Sequence, residues 1–200
     1  MTPRTRDPAT VPTMAGALAV LLSSFAFVGV LSDARWMMSA VLVLAVVAAA
    51  GMTGRRLGWW PPLTVLAQLF AVVGLLVAQF SGQGFLLVVP TPGAIGDLSA
   101  LFNSAIEVVR TGVPPVEADQ AIQCLVSLGL GLVAVIVDAV AVAAGAPAVS
   151  GLVLLCVFAI PASLAESMLP WGSFVAGALG FTLLLAYGRP VARARAPSPN

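Results

Sequence analysis

One carboxylate stands far inside an apolar stretch of this chain. Asp138 lies about 18 residues into a run opening near Gln120, roughly 27 Å along a helix from that opening. An acid inside a membrane span can serve as a proton or ion site, usually with a second ionisable group at similar depth. No second acid stands near that depth here. The other reading is an interfacial ion pair. A carboxylate near a helix C-terminus opposes the helix dipole and calls for a cation, and Arg55 and Arg56 are the candidates. Gln68, Gln79 and Gln123 are the remaining polar groups in apolar runs. Hydrogen bonds to neighbouring helices can satisfy each, at about 1 kcal/mol or less.

The inventory argues against catalysis. The chain has no histidine, so no Cys–His or Ser–His pair can form. Cys124 and Cys156 sit in apolar runs at different depths, which suits inert thiols and no disulfide or metal framework. There is no phosphate loop ending in Lys-Ser or Lys-Thr and no metal-ligand cluster. No cofactor is expected. A net charge of +1 gives no field favouring nucleic acid.

The elements that hold these groups follow from composition. The chain is 60% hydrophobic and 8% charged, with mean hydropathy +1.06. A soluble domain carries about 25% charged residues, so lipid must solvate most of this one. A helix crosses the hydrocarbon core with roughly 20 apolar residues. Six stretches qualify, over 13–31, 36–52, 62–80, 120–144, 148–164 and 170–188. Pro61 and Pro62 suit a helix start, Gly145-Ala146-Pro147 breaks the chain, and Pro161 is expected to kink the fifth span. The first stretch is as long as a span and is read as retained, not as a cleaved signal peptide. The expected fold is all-α, a polytopic membrane bundle of six spans, with an arm over 1–12, a membrane domain over 13–188 and an Arg/Pro-rich tail or linker over 189–200.

Charge placement orients that bundle. Arg4, Arg6, Arg55, Arg56, Arg189, Arg193 and Arg195 fall on one side of the ladder, and only Arg35 and Arg110 on the other. By the positive-inside rule the first side is cytoplasmic, with both termini there. Asp33, Asp97, Glu107, Glu117, Asp119 and Glu166 lie in or beside outer loops. Trp36 and Trp171 are expected in an aromatic belt at the outer face, and Trp59, Trp60 and Tyr187 at the inner one. Basic residues that are all arginine, with abundant Ala, Val, Gly and Pro, suggest a G+C-rich bacterial genome and hence a bacterial plasma membrane.

The long outer loop over 81–119 contains a further helix over 92–111. Thr91 can cap it and Pro92 can open it. Ile95, Leu98, Leu101, Phe102, Ala105, Ile106 and Val109 share one face, and Asp97, Ser99, Asn103, Ser104, Glu107 and Arg110 the other. Such a helix is too polar to span and lies at the outer interface or caps the bundle. Glu107 and Arg110 are its candidate interaction charges.

Several local strings, in order, resemble the N-terminal membrane region of bacterial transglutaminase-like membrane proteins of the TgpA type, in the actinobacterial form. They are Pro61-Pro62-Leu63 with Leu66-Ala67-Gln68-Leu69, Val89-Pro90-Thr91-Pro92-Gly93-Ala94, Pro114-Pro115, Val137-Asp138-Ala139-Val140-Ala141-Val142, Pro147-Ala148 into Gly151-Leu152, and Ala159-Ile160-Pro161. The resemblance implies a membrane module preceding a transglutaminase-like domain with a Cys–His–Asp site. None of that domain's residues is carried by these 200 positions. It therefore implies a non-catalytic anchoring and positioning module, partnered by the bilayer and by such a domain in cis or in trans. A small oligomeric transporter or channel subunit and an assembly scaffold for other membrane proteins are the alternatives. A further span is expected before any external domain that follows the tail.

Overall fold

The computed structural model describes residues 10–24, 35–81, 91–111, 119–144, 146–164 and 171–195. Within them the chain is helical, with seven α-helices and no strand: α1 (Thr10–Ser24), α2 (Arg35–Arg56), α3 (Pro61–Phe80), α4 (Pro92–Thr111), α5 (Gln120–Asp138), α6 (Pro147–Leu164) and α7 (Trp171–Arg195). Three are long and apolar enough to cross a membrane, over Trp36–Arg56, Pro61–Phe80 and Gln120–Val142, where the last continues α5 into the turn that follows it. Thr13–Ser24 and Trp171–Ala186 are shorter apolar stretches.

Local chemistry sets the helix ends. α2 stops in a Schellman motif, in which the Gly58 amide donates to the Arg55 carbonyl at 3.1 Å and the Trp59 amide to the Gly54 carbonyl at 2.9 Å. Gly58 takes φ 68°, the left-handed region that glycine enters without the steric cost of a Cβ. Pro61 then opens α3, where the missing N–H is no loss. Thr91 caps α4 as its sequence suggests, accepting from the Ala94 amide at 3.2 Å. Asp119 opens α5 and accepts from the Gln120 amide.

The stretch read as one span over 120–144 is not α-helical throughout. Beyond Asp138 the chain widens into a π turn over Ala139–Ala143. The Ala144 amide reaches the Ala139 carbonyl, and the Ala146 amide reaches that of Val140. Pro147 has no N–H to continue the ordinary i to i−4 ladder. At the other end of the chain, α7 continues to Arg195, past the point where a tail was expected.

α2, α3 and α5 pack on one another, and α1 and α7 form a second, closely paired unit. The two units meet directly where α1 packs on α2 and α5, α6 lies against α5, α1 and α7, and α4 lies against α5 and α3. The apolar face expected on α4 divides into two stripes. Ala94 and Ala105 are fully buried, and Leu98, Leu101 and Val108 pack on the core, whereas Ile95, Phe102 and Val109 stay exposed. Trp36 also departs from expectation. Its ring is buried in the core and does not face outward, while Trp59, Trp60 and Trp171 are exposed. The arm bearing Arg4 and Arg6, residues 82–90 and 112–118 of the outer loop, and Glu166 lie outside the described residues.

Candidate functional site

Four helices meet at Asp138. Its carboxylate, buried at the end of α5, accepts two bonds from Arg55 of α2: Nη1 to Oδ2 at 2.8 Å and Nη2 to Oδ1 at 3.1 Å. This two-pronged geometry is the strong form of the pairing. Arg55 Nη2 also donates to Thr13 Oγ1 of α1 at 2.6 Å. Gln68 of α3, fully buried, donates through Nε2 to Asp138 Oδ2 at 2.8 Å and to the Val47 carbonyl at 3.2 Å. Gln68 Oε1 and Arg55 Nε have no hydrogen-bond partner among the described residues.

Gly51 makes room for this cluster. A Cβ at that position would lie 2.5 Å from Gln68 Nε2, 2.8 Å from Arg55 Nη2 and 3.0 Å from Asp138 Oδ2. A side chain fits there only if those polar groups move.

A smaller cluster sits toward the other end of the same three helices. Ser39 donates to Gln79 Oε1 at 2.6 Å and shares a 2.7 Å bond with Ser127. A hydroxyl has one proton, so Ser127 is the donor to Ser39. Gln79 lies eleven residues beyond Gln68 on α3, and Asp138 eleven beyond Ser127 on α5. Eleven residues make three turns, so the clusters share a face and stand about 16 Å apart. Between them Val43, Val72, Leu76, Leu130, Ala134 and Val135 are buried. Gly131 fits so tightly there that an added Cβ would meet Val43 at 2.8 Å and Val72 at 3.0 Å. The layer between the clusters is apolar and closely packed.

The contacts also assign charges to ends of the bundle. Thr13 near the start of α1 and Arg55 near the end of α2 meet at Asp138. On α7, Gly180 lies against Ala19, and Leu184 lies against Gly16 one α1 turn nearer Thr13. α7 therefore runs toward the Asp138 end and overshoots Leu184 by eleven residues, about 16 Å. Arg189, Arg193 and Arg195 lie on that extension. Arg35 opens α2 at the opposite end. Arg110 is exposed in the last turn of α4, and Glu107 is exposed one turn before it.

Of the residues singled out in the sequence, Arg55 and Asp138 come together, and Arg56 is left on the surface. Glu107 and Arg110 lie on α4, which supplies none of the cluster's side chains, and Pro161 lies within α6. Sequence reasoning did not single out Thr13 or Gly51. Gly51 and Gly54, three residues apart immediately before Arg55, were the available signal of a close helix approach.

The family model of the TgpA N-terminal domain matches residues 18–200. The chain belongs to the TgpA N-terminal domain family. The match takes in the polar cluster from Arg55 onward and all helices except the first turns of α1. That domain is not the catalytic part of TgpA. No curated protein and no solved structure matches the chain.

Proposed function

We propose that this chain is a non-catalytic membrane-anchoring and positioning module for a transglutaminase-like domain, supplied in cis or in trans. The helices form six spans with both termini cytoplasmic in a bacterial plasma membrane, and α4 lies at the outer surface. The apolar layer between the two polar clusters carries this reading. Asp138 is neutralised by Arg55, and tightly packed Val43, Val72 and Gly131 separate it from the Ser39–Gln79–Ser127 cluster. A transport path through this core would need polar groups or a wet cavity at that depth. Family membership supports the link to a transglutaminase-like protein.

Two measurements test the reading. Affinity purification of the chromosomally tagged chain should yield a polypeptide that contains, or brings with it, a Cys–His–Asp domain. A product with no such domain in either form sinks the anchoring role. Proteoliposomes carrying the chain should conduct ions no faster than empty ones, before and after Asp138→Asn. A flux abolished by that substitution would favour the transporter alternative.

A further inference from the structure

α4 carries two apolar stripes one residue apart. Ala94, Leu98, Leu101, Ala105 and Val108 recur at steps of four and three residues. Ala94 and Ala105 are fully buried, and the other three pack on the core. Ile95, Ser99, Phe102, Ile106 and Val109 repeat the same steps one position on, so their stripe is turned about 100° from the first. Ile106 is half-buried, and the rest of that stripe is exposed. Ser99 turns its hydroxyl back on its own helix and donates to the Gly96 carbonyl at 2.8 Å. Asn103, Ser104, Glu107 and Arg110 are exposed beyond this stripe, on the side away from the packed one. Round its axis α4 therefore shows a packed face, an exposed apolar face and a polar face, in that order.

The contacts of α4 set its level. Asp97 Oδ2 accepts from Ser81 Oγ at the C-cap of α3, at 3.2 Å. Gln120 Nε2, in the first turn of α5, donates to the Phe80 carbonyl at 3.5 Å. α4 thus starts level with the ends of two helices long and apolar enough to cross a membrane. Its packed stripe stays buried from Ala94 to Val108, about 21 Å, so the helix keeps to the bundle along that length.

We propose that the exposed stripe of α4 is seated in the acyl boundary of the outer leaflet, with Ile95, Phe102, Ile106 and Val109 as the inserted side chains. A helix between a protein core and water needs only a packed face and a polar one. An apolar face between those two fits the line where protein, lipid and water meet. A serine whose hydroxyl is bonded to its own backbone can lie against hydrocarbon with no unpaired donor. The stripe is too small to hold a second copy or another protein by itself. A specific interface takes about 800 Å² from each partner. A whole aromatic side chain supplies about 150–250 Å², and Phe102, the one ring of the stripe, is 36% exposed. Seated in lipid, the stripe fixes how deep this end of the bundle lies. This seating depends on the membrane-embedded reading of the bundle but on no enzymatic partner.

The test uses the full chain in phosphatidylcholine–phosphatidylglycerol vesicles. Cys124 and Cys156 are replaced by alanine, and one nitroxide-labelled cysteine at a time is introduced by Ile95→Cys, Phe102→Cys, Val109→Cys, Asn103→Cys, Ser104→Cys or Phe70→Cys. Power-saturation EPR compares collisions with oxygen, which concentrates in lipid, and with a water-soluble nickel chelate. Phe70, 70% exposed midway along α3, is the lipid reference. Labels at positions 95, 102 and 109 should favour oxygen several-fold, at a depth of about 5–10 Å, and those at 103 and 104 should favour nickel. Circular dichroism checks that each labelled chain remains helical. Nickel preference at 95, 102 and 109 equal to that at 103 and 104 overturns the proposal, because water then covers the stripe. Low collision with both reagents at those three positions also overturns it, because protein then covers the stripe, and spin–spin broadening at 102 would identify a second copy. A label at position 70 that favours nickel fails the membrane reading as well, whereas a lipid-exposed label there with a water-exposed stripe fails this proposal alone.

Discussion

Asn in place of Asp138 keeps the shape of the side chain and removes the charge that Arg55 faces. Breaking a buried ion pair from one side costs about 3–5 kcal/mol. Arg55 is one-fifth exposed, so water recovers part of that and the expected loss is roughly 2 kcal/mol. Replacing Asp138 and Arg55 together by leucine should cost less than the two single changes added, because no uncompensated charge remains. Thermal unfolding in detergent measures both, and strictly additive losses would show that the pair is not coupled. Gly51→Ala should destabilise by about 1–3 kcal/mol, because the new methyl must displace Gln68, Arg55 or both. Gln68→Ala in the same chain should relieve part of that loss. Arg55 and Arg56 were equal candidates in sequence, and one residue of helix rotation separates them. That rotation turns Arg55 toward Thr13, Gln68 and Asp138 and leaves Arg56 on the surface.

At the scale of elements, the α2–α3 hairpin was the most legible part of the chain. Pro61 marked the next helix start in the sequence, whereas Gly58 at C′ was an equally local signal that went unread, and α2 runs past the expected limit at residue 52 to Arg56. Gly58→Ala should cost about 1–2 kcal/mol, the strain of placing a Cβ in the left-handed region. The loss is expected in unfolding midpoints, and an unchanged midpoint would mean the turn relaxes to another form. α4 was legible in extent but not in use. Its apolar arc is wider than the strip that meets α5 and α3, so periodicity alone merged a packed stripe through Ala94 and Ala105 with an exposed one through Ile95, Phe102 and Val109. The π turn after Asp138 was not legible, because it depends on where the last amides find carbonyls ahead of Pro147.

For the whole molecule, the contacts bring Arg55, Arg56 and the α7 arginines to one end of the bundle and leave Arg35 and Arg110 away from it. Reporter fusions test whether that axis crosses a membrane in the sense proposed. A fusion at Arg110 should report outside and one after Arg195 inside. The same side at both positions would mean that the number of crossings between them is even and the six-span reading is wrong.

The sequence by itself determined the solvent, the class and most helix limits. Too few charged residues to coat a water-soluble fold, long apolar runs and local Pro, Gly and Thr signals all act within a few residues of where they are read. Only the tertiary structure decided which arginine neutralises Asp138, that Trp36 turns inward, and that a glycine makes room where Gln68, Arg55 and Asp138 converge. Those outcomes depend on how closely neighbouring helices approach and how each is rotated about its axis. Both are fixed by residues far apart in the chain, so a periodic pattern identifies a face but not the partner it meets.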